Sequence, residues 1–175
     1  VALLRAADVD AVGLAALDGG VVTAVPHPAA GTLGAVGAVQ SVAPGLLETL
    51  LARGAVPVVA SIGDHAGELL NLNADDLAAA VAPAMRARAL VLLSDTPGLR
   101  LGGKTVPTLD REGLLAALAH PQVHGGMLPK LRAAMAALEG GVPRVHIGAW
   151  DGPGTLTRLL SGEGNGTTIT RIDHM

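Results

Sequence analysis

Cysteine, phenylalanine and tyrosine are absent from this 175-residue sequence, and Trp150 is its only aromatic residue. Without cysteine no disulfide can stabilise a secreted fold, so the composition suits a reducing cytoplasm. With a single aromatic side chain, stacking on bases or sugars cannot be a major theme. The core must therefore be built from alanine, valine and leucine.

A strong charge and long apolar runs are missing as well. The net charge is −3 and no basic cluster occurs, so we expect no dedicated surface for nucleic acid or anionic membranes. Half of the residues are hydrophobic, but the apolar runs are far shorter than the roughly 20 residues that span a bilayer. The sequence predicts a soluble protein with no nucleic-acid and no membrane partner.

Short β-branched runs alternate with helical segments along the chain. Strands are predicted at 8–14, 21–25, 34–42, 56–62, 89–93 and 142–147, and helices at 1–7, 46–52, 74–85, 113–119, 127–138 and 153–160. Residues 162–170 are predicted as a glycine-rich hairpin. Alternation of this kind predicts an α/β fold, a three-layer α/β/α sandwich with a mainly parallel central sheet.

The stretch 56–76 is predicted as a strand, a loop and a helix N-terminus. Binding and catalytic residues of α/β proteins usually lie at such a junction. Asn73 can cap the helix, and Asp76 stands three residues on, as in a capping box. Asn71 and Asp75 complete a polar cluster. A well-capped helix with solvated acids explains the same residues, so the cluster alone does not decide for function.

Residues 98–105 fit the pattern G-x-x-x-x-G-K-T of a phosphate-binding loop. In that motif a helix must begin at the lysine, so that its N–H groups meet the phosphates. Here the residues that follow Lys104 are β-branched and interrupted by Pro107. We interpret the segment as a hairpin tip with a solvated lysine.

Lys130 is predicted in the first turns of a helix that is entered through Gly125 and Gly126. A cation there opposes the helix dipole, which favours anions at this end. A lysine at this position does not stabilise the helix, but it can bind an anion together with the backbone N–H groups. An ordinary surface lysine is the alternative.

Four segments together resemble, in order and spacing, the acetylglutamate kinases of the amino-acid kinase superfamily. They are Asn71-Leu72-Asn73-Ala74-Asp75, Leu93-Ser94-Asp95-Thr96-Pro97-Gly98-Leu99, Gly125-Gly126-Met127-Leu128-Pro129-Lys130 and Gly164-Asn165-Gly166-Thr167. The resemblance covers nearly the whole chain. It implies transfer of a phosphoryl group from Mg-ATP to the side-chain carboxylate of N-acetyl-L-glutamate, in arginine biosynthesis.

The resemblance also implies roles for individual residues. Lys130 matches the lysine that stabilises the transferred charge, Asp75 the carboxylate that orients the catalytic lysines, and Asn71, with its neighbour Asn73, the amide that binds the acetylated amino acid. The residues that match nucleotide-lining segments are Ser94, Asp95, Thr96, Pro97, Gly98, Leu99, Gln122, Val123 and His124. Magnesium is expected to arrive with ATP, because no carboxylate cluster forms a metal site of its own.

The chain resembles such an enzyme truncated at its N-terminus, which is also consistent with a first residue, Val1, that is not methionine. Residues 1–64 would then be the end of a substrate-binding and dimerisation lobe, and residues 65–175 the nucleotide-binding lobe. The family's opening lysine, its glycine-rich phosphate loops and a substrate-binding arginine are not matched. We therefore expect no turnover from these 175 residues alone, and we expect an exposed apolar edge.

Other interpretations stay open. A kinase for carrier-protein-linked aminoadipate or glutamate shares the chemistry and much of the scaffold. A non-catalytic amino-acid sensor on the same fold is a third possibility, although it has no need of both Asp75 and Lys130. The family resemblance further implies a homodimer or a hexamer, and leaves arginine inhibition and a nitrogen-signalling protein partner undecided.

Overall fold

The computed structural model describes residues 1–171, and the last four residues of the predicted second lobe lie outside the described residues. The chain forms two compact units that divide between Met85 and Arg86. The sequence placed the lobe boundary at residue 64, whereas the segment 65–85 lies in the first unit. No helix in the described part of the chain is long and apolar enough to cross a membrane.

The first unit contains four α-helices and six strands. The helices are α1 (Ala2–Ala6), α2 (Ala30–Leu33), α3 (Gly45–Ala52) and α4 (Ala74–Ala84). The strands are β1 (Ala11–Ala15), β2 (Val22–Pro26), β3 (Val36–Val42), β4 (Val56–Ala60), β5 (Ile62–His65) and β6 (Glu68–Leu72). A 3₁₀ turn, Asp18–Gly20, links β1 to β2.

Two sheets build this unit. Strands β1 and β4 pair in parallel, and a four-stranded sheet has the order β2-β3-β6-β5, in which only β3 and β6 run parallel. Leu70 and Leu72 of β6 are 7% and 2% exposed and belong to one core cluster with Leu77 of α4. Because side chains alternate along a strand, Leu69 and Asn71 lie on the opposite, exposed face.

Glycines on both neighbouring strands make room for the leucines of β6. A Cβ atom at Gly37 would lie 2.9 Å from both Leu70 Cβ and Leu72 Cδ2, and one at Gly63 would lie 3.2 Å from Leu72 Cδ1. Strand β3, predicted at 34–42, is an interior strand with β2 on one side and β6 on the other. Gly37 allows the close approach of Leu70 and Leu72, and the register with β2 shifts between Thr23 and Ala24, as at a β-bulge.

Residues 62–72 differ from the prediction. The sequence predicted one strand to residue 62, followed by a polar loop, but β4 ends at Ala60 and a β-hairpin of β5 and β6 follows. Its turn residues, Ala66 and Gly67, have φ angles of 50° and 86°. Two positive φ values match the right-handed twist of hairpin strands. Asn71 is consequently a strand residue, not part of the loop that opens α4.

The second unit contains three α-helices and six strands in its described part. The helices are α5 (Arg111–Leu118), α6 (Met127–Glu139) and α7 (Thr155–Ser161). The strands are β7 (Leu90–Ser94), β8 (Arg100–Leu101), β9 (Lys104–Thr105), β10 (Thr108–Leu109), β11 (Arg144–Ala149) and β12 (Gly166–Thr170). A sheet of order β10-β12-β11-β7 carries the core of this unit, where Ile147, Ile169 and Leu131 of α6 are all 0% exposed.

The α/β class is confirmed, but the prediction of a mainly parallel sheet is wrong. Half of the eight strand pairs in the described residues are antiparallel, among them β2–β3, β5–β6 and β11–β12. Two of these pairs, β5–β6 and β8–β9, are hairpins closed by two-residue turns that contain glycine, and a turn this short joins only antiparallel strands.

The segment 162–170 is not a hairpin. Helix α7 stops at Gly162, whose φ is 79°, and residues 166–170 form the single strand β12. This strand runs antiparallel to β11 and parallel to β10. The interpretation of residues 98–105 is confirmed, because β8 and β9 form an antiparallel hairpin and Lys104 is exposed.

Candidate functional site

The first-unit candidates surround the start of α4. Asn73 is the N-cap, as predicted, and its Oδ1 accepts hydrogen bonds from the Asp75 N–H at 2.9 Å and the Asp76 N–H at 3.1 Å. The cap occupies this oxygen, so the Nδ2 amide is the group with which Asn73 can meet a ligand. Asp75 is half-buried in the first turn, where the helix dipole favours its negative charge.

Asn71 projects from a firmly paired strand. Its N–H donates to the Ala35 carbonyl at 2.8 Å, and the N–H of Leu72 donates to Ser61 at 2.9 Å, so β6 is held from both sides. The side chain of Asn71 lies on the exposed face. The hairpin therefore presents one amide, two residues ahead of the amide of Asn73, from a rigid backbone.

A groove of about 420 Å³ adjoins this cluster at the first residue of α4. It is lined by Val59, Ala60, Ser61, Ala74, Leu77, Ala78 and Val81. Its lining is almost entirely apolar, with the Ser61 hydroxyl as the exception. The groove thus adds an apolar surface beside the amides and the carboxylate.

In the second unit the first candidate segment follows β7. Ser94 is the register partner of Ala149, so the carboxyl ends of the parallel strands β7 and β11 lie side by side, the edge where open α/β sheets bind ligands. The Ser94 hydroxyl donates to Asp95 Oδ1 at 3.1 Å. Asp95 and Thr96 are exposed. Hydroxyl, carboxylate and backbone groups are therefore available to a ligand at this edge.

The end of the same segment is buried and held by Thr167, a residue to which the sequence gave no role. Its Oγ1 accepts a hydrogen bond from the Leu99 N–H at 2.8 Å and donates one to the Val106 carbonyl at 2.7 Å. Thr167 and Leu99 are each 1% exposed. The side chain of Leu99 lies in the core, so this residue serves the site through the position of its backbone.

Replacing Thr167 by valine is expected to lower the free energy of unfolding by about 2–4 kcal/mol, because a buried donor and a buried acceptor would both lose their partner. Thr170→Val, at a half-buried position on the same strand, is the matched control and should change it by less than about 1 kcal/mol. Urea titrations followed by Trp150 fluorescence would measure both variants. Equal losses would show that the Thr167 hydroxyl is not the cause.

The loop from His120 to Gly126 contains three further candidates. Gln122 Oε1 accepts from the Gly102 N–H at 3.0 Å, which ties the loop to the β8–β9 hairpin. Val123 is 8% exposed and packs inward, whereas His124 is exposed. Gln122 and His124 can therefore reach a ligand with their side chains, and Val123 contributes to the packing of the loop.

Lys130 is half-buried in the first turns of α6, which begins at Met127. Gly126, the N-cap residue, offers no side chain to the first N–H groups, and the first turn carries no acidic residue. Pro129 has no N–H to satisfy. The helix start thus combines a nearby cation with donors that no side chain caps, which is an anion-binding arrangement.

Sequence reasoning missed a group of residues directly after β11. Asp151 Oδ1 contacts both the Thr155 hydroxyl and the Arg158 guanidinium, and the Asp151 N–H donates to Thr155 Oγ1 at 3.2 Å. The hydrogen bond from Thr155, followed by the interactions with Arg158, lowers the pKa of the Asp151 carboxyl. A carboxylate four residues before a threonine and seven before an arginine is the one signal that the sequence contained.

His146, to which the sequence analysis gave no role, is buried on β11 and 2% exposed. Its Nδ1 lies 3.1 Å from Thr168 Oγ1, while Nε2 has no hydrogen-bond partner among the described residues. Burial, and then the charge of Arg144, lower the pKa of this ring below its ordinary 6.5. Folding therefore favours the neutral form of the His146 ring.

This burial predicts a pH dependence of stability. As the pH falls below 6.5, the unfolded chain takes up a proton on His146 before the folded chain does. The free energy of unfolding should therefore fall between pH 6.5 and the lowered pKa of the folded state, and His146 should cause no change above that interval. One such proton gives a slope of at most about 1.4 kcal/mol per pH unit. His146→Gln should remove this slope and His124→Gln should not. Identical slopes in both variants would contradict the assignment.

The structure thus groups the predicted residues in two sets. Asn71, Asn73 and Asp75 lie together in the first unit, and the remaining candidates, from Ser94 to Lys130, lie in the second unit. Within the second unit, hydrogen bonds tie the segment 94–99 to Thr167 and the loop of Gln122 to Gly102. In the part of the chain that the structure describes, no three His, Asp or Glu side chains are placed to hold a metal ion.

Comparison with known proteins supplies the context. The model of the "Amino acid kinase family" matches residues 1–149. Acetylglutamate kinase of Chlorobaculum tepidum is 39% identical over 162 residues, which cover 90% of this chain and 56% of that protein. Acetylglutamate kinase of Geobacillus kaustophilus is 38% identical over 172 residues, which cover 98% of this chain and 65% of that protein.

A solved structure agrees with the fold. The crystal structure of a Streptococcus mutans protein superposes with a TM-score of 0.82 at 29% identity, and the match covers 98% of this chain and 65% of that one. The chain spans only about half to two thirds of the length of these three proteins.

Proposed function

This chain belongs to the amino acid kinase family, and we propose on that basis that it is part of an ATP-dependent kinase for the side-chain carboxylate of N-acetyl-L-glutamate, which acts in arginine biosynthesis. The observation that carries the proposal is the identity of 39% and 38% to two acetylglutamate kinases over at least nine tenths of the chain. Because the chain covers little more than half of the first of these relatives, the activity is proposed for the complete protein.

The reaction moves the γ-phosphoryl group of ATP to a carboxylate oxygen of the acceptor and yields an acyl phosphate and ADP. Its transition state spreads negative charge over the transferred group, so the protein contributes chiefly by positioning the two substrates and neutralising this charge. The protein therefore needs to contribute little covalent chemistry of its own. Cations, N–H donors and amides at fixed positions are sufficient.

Lys130 is proposed to neutralise the charge of the transferred group. The uncapped start of α6 supports this role, because backbone N–H groups and the lysine can share one anion. Asp75 is proposed as the carboxylate that orients a catalytic lysine. Its fixed place beside the Asn73 cap supports this assignment.

Asn71 is proposed to bind the acetylated amino acid, with Asn73 contributing its Nδ2 amide. The nucleotide is proposed to lie along the carboxyl edge of β7, where Ser94, Asp95 and Thr96 offer polar groups. The remaining nucleotide candidates are Pro97, Gly98, Leu99, Gln122, Val123 and His124. Of these, Gly98, Leu99 and Val123 are buried, so their part is to hold the lining segments in place.

Mg²⁺ is proposed to accompany ATP. When bound, it supplies positive charge on the phosphate oxygens. The donor set of the chain fits this arrangement, since Asp95 is the one carboxylate in the exposed loop after β7, and a single carboxylate beside substrate phosphates is a common way of holding Mg²⁺.

For the complete protein we further propose a three-layer α/β/α sandwich, a cytoplasmic location and assembly as a homodimer or a hexamer. A nitrogen-signalling protein is a candidate partner. These points rest on the family resemblance. Sedimentation of the full-length protein with and without arginine tests the assembly state.

Hydroxylamine trapping of acyl phosphate tests the proposal. The full-length protein is supplied with Mg-ATP and, in parallel, with N-acetyl-L-glutamate, glutamate or carrier-linked aminoadipate. We expect hydroxamate from N-acetyl-L-glutamate alone, and none from the 175-residue chain. Product from the carrier-linked acceptor would assign the other kinase activity, whereas amino-acid binding without any product would assign a sensor.

A further inference from the structure

Trp150, the only aromatic residue, is 61% exposed to solvent. It stands directly after β11, one residue beyond Ala149, the register partner of Ser94 on β7. Trp150 therefore lies at the same edge of the sheet as the exposed loop of Asp95 and Thr96. A large indole beside polar groups at the carboxyl ends of parallel strands is placed where a ligand would meet it.

The segment that carries Trp150 is anchored. The next residue, Asp151, bonds to the Thr155 hydroxyl and to the Arg158 guanidinium of α7, and its N–H donates to Thr155 as well. Thr155 is 2% exposed, begins α7, and its hydroxyl also contacts the Gly152 carbonyl. The backbone beneath the indole is thus held before any ligand arrives, which lowers the entropy that binding would cost.

With 61% of its surface exposed, Trp150 keeps a large apolar surface in water. A purine base offers a flat π-face of similar size, and aromatic side chains stack on bases of any sequence. The polar loop after β7 supplies donors and acceptors for the edge of a base or for a sugar. We propose that Trp150 stacks on the base of the nucleotide, an inference that rests on the proposed function and assigns a residue to its ATP site.

The sequence suggested that stacking is no major theme, and one ring is indeed too few for a strand of nucleic acid. A single mononucleotide needs only one stacking partner. The proposal is therefore compatible with the absence of phenylalanine and tyrosine, because it needs only the one indole of Trp150.

Intrinsic fluorescence tests the proposal directly, because Trp150 is the sole fluorophore of the 175-residue chain. With excitation at 295 nm, ATP and adenosine should quench the emission, whereas inorganic tripolyphosphate should not. Equilibrium dialysis with labelled ATP gives the affinity independently. Trp150→Ala should weaken ATP binding about tenfold, and Trp150→Phe should restore most of the affinity.

Leu115→Ala is the matched control, because Leu115 is 46% exposed on α5 of the same unit and lies in no candidate segment. This variant should bind ATP as the parent chain does. If ATP binds without quenching, or if Trp150→Ala leaves the affinity unchanged, the stacking role is wrong and the proposed kinase function survives. If dialysis detects no ATP binding at millimolar concentration, both the nucleotide site and the stacking role fail for this chain.

If Trp150→Ala reduces self-association in sedimentation velocity and leaves ATP affinity unchanged, the indole belongs to a protein interface. That result also overturns the proposal. Quenching that follows adenosine and ATP, together with rescue by phenylalanine, supports it, because a merely structural residue would not respond to the base.

Discussion

Replacing Lys130 by alanine in the full-length protein is expected to lower kcat about 10²- to 10³-fold, with a smaller change in the KM for N-acetyl-L-glutamate. The proposed role of this lysine is to neutralise charge that grows in the transition state, and removal of one such preorganised group typically costs this much in rate. The loss should therefore fall on the chemical step, and not on binding of the acceptor. Steady-state hydroxamate assays would measure it.

The chain supplies its own control, since Lys104 is its only other lysine. Lys104 is exposed on the β8–β9 hairpin, outside the candidate segments. Lys104→Ala should leave kcat within about twofold. A large loss in that variant, with Lys130→Ala active, would exchange the roles of the two lysines and revive the phosphate-loop interpretation of residues 98–105.

Gly98→Ala is expected to destabilise the second unit by about 3 kcal/mol or more. Gly98 has a φ of 84°, and a Cβ there would lie 2.6 Å from Thr167 Oγ1 and 2.7 Å from the Thr167 backbone nitrogen. The substitution combines a left-handed backbone with overlap against atoms that cannot move cheaply. Urea unfolding monitored by Trp150 fluorescence would report it, because the indole lies in the same unit.

Gly102→Ala separates the two causes. Gly102 also has a positive φ, 57°, but no atom lies within 4 Å of an added Cβ. Its loss should be about 1 kcal/mol, the cost of the backbone conformation alone. If both alanine variants lose the same stability, the close contact between Gly98 and Thr167 does not control the loop after β7.

The sequence predicted those features correctly that depend on a single turn or a single helix cap. Asn73 caps α4 because its side chain accepts hydrogen bonds from the N–H groups two and three residues further on. An asparagine directly before a helical segment can be recognised from the sequence alone. Gly102 and Gly103 bend the β8–β9 hairpin for the same local reason. The helix entered through Gly126 is another case.

Strand pairing was harder to predict, because it depends on which distant segments meet. The alternation of elements favoured parallel strands, yet β12 returns antiparallel to β11 after a helix of seven residues. The hairpin of β5 and β6 was missed because residues 63–72 were interpreted as a loop, although Ala66 and Gly67 do form its turn.

The candidate site shows the same division. Asn71, Asp75 and Lys130 could be named from motifs, whereas the role of Thr167 depends on a contact with a residue 68 positions away. Trp150 could be counted in the sequence, but its place beside the loop of Ser94 follows only from the register of β7 and β11. Both features depend on which distant segments lie side by side, and residue type alone does not predict that.

³¹P NMR of the full-length protein with Mg-ATP and N-acetyl-L-glutamate tests the central claim most directly. The account predicts that ADP and a new acyl phosphate resonance appear together, in equal amounts, and only when the acceptor is present. Release of inorganic phosphate without an acyl phosphate, or no consumption of ATP by folded protein that binds both substrates, would contradict it.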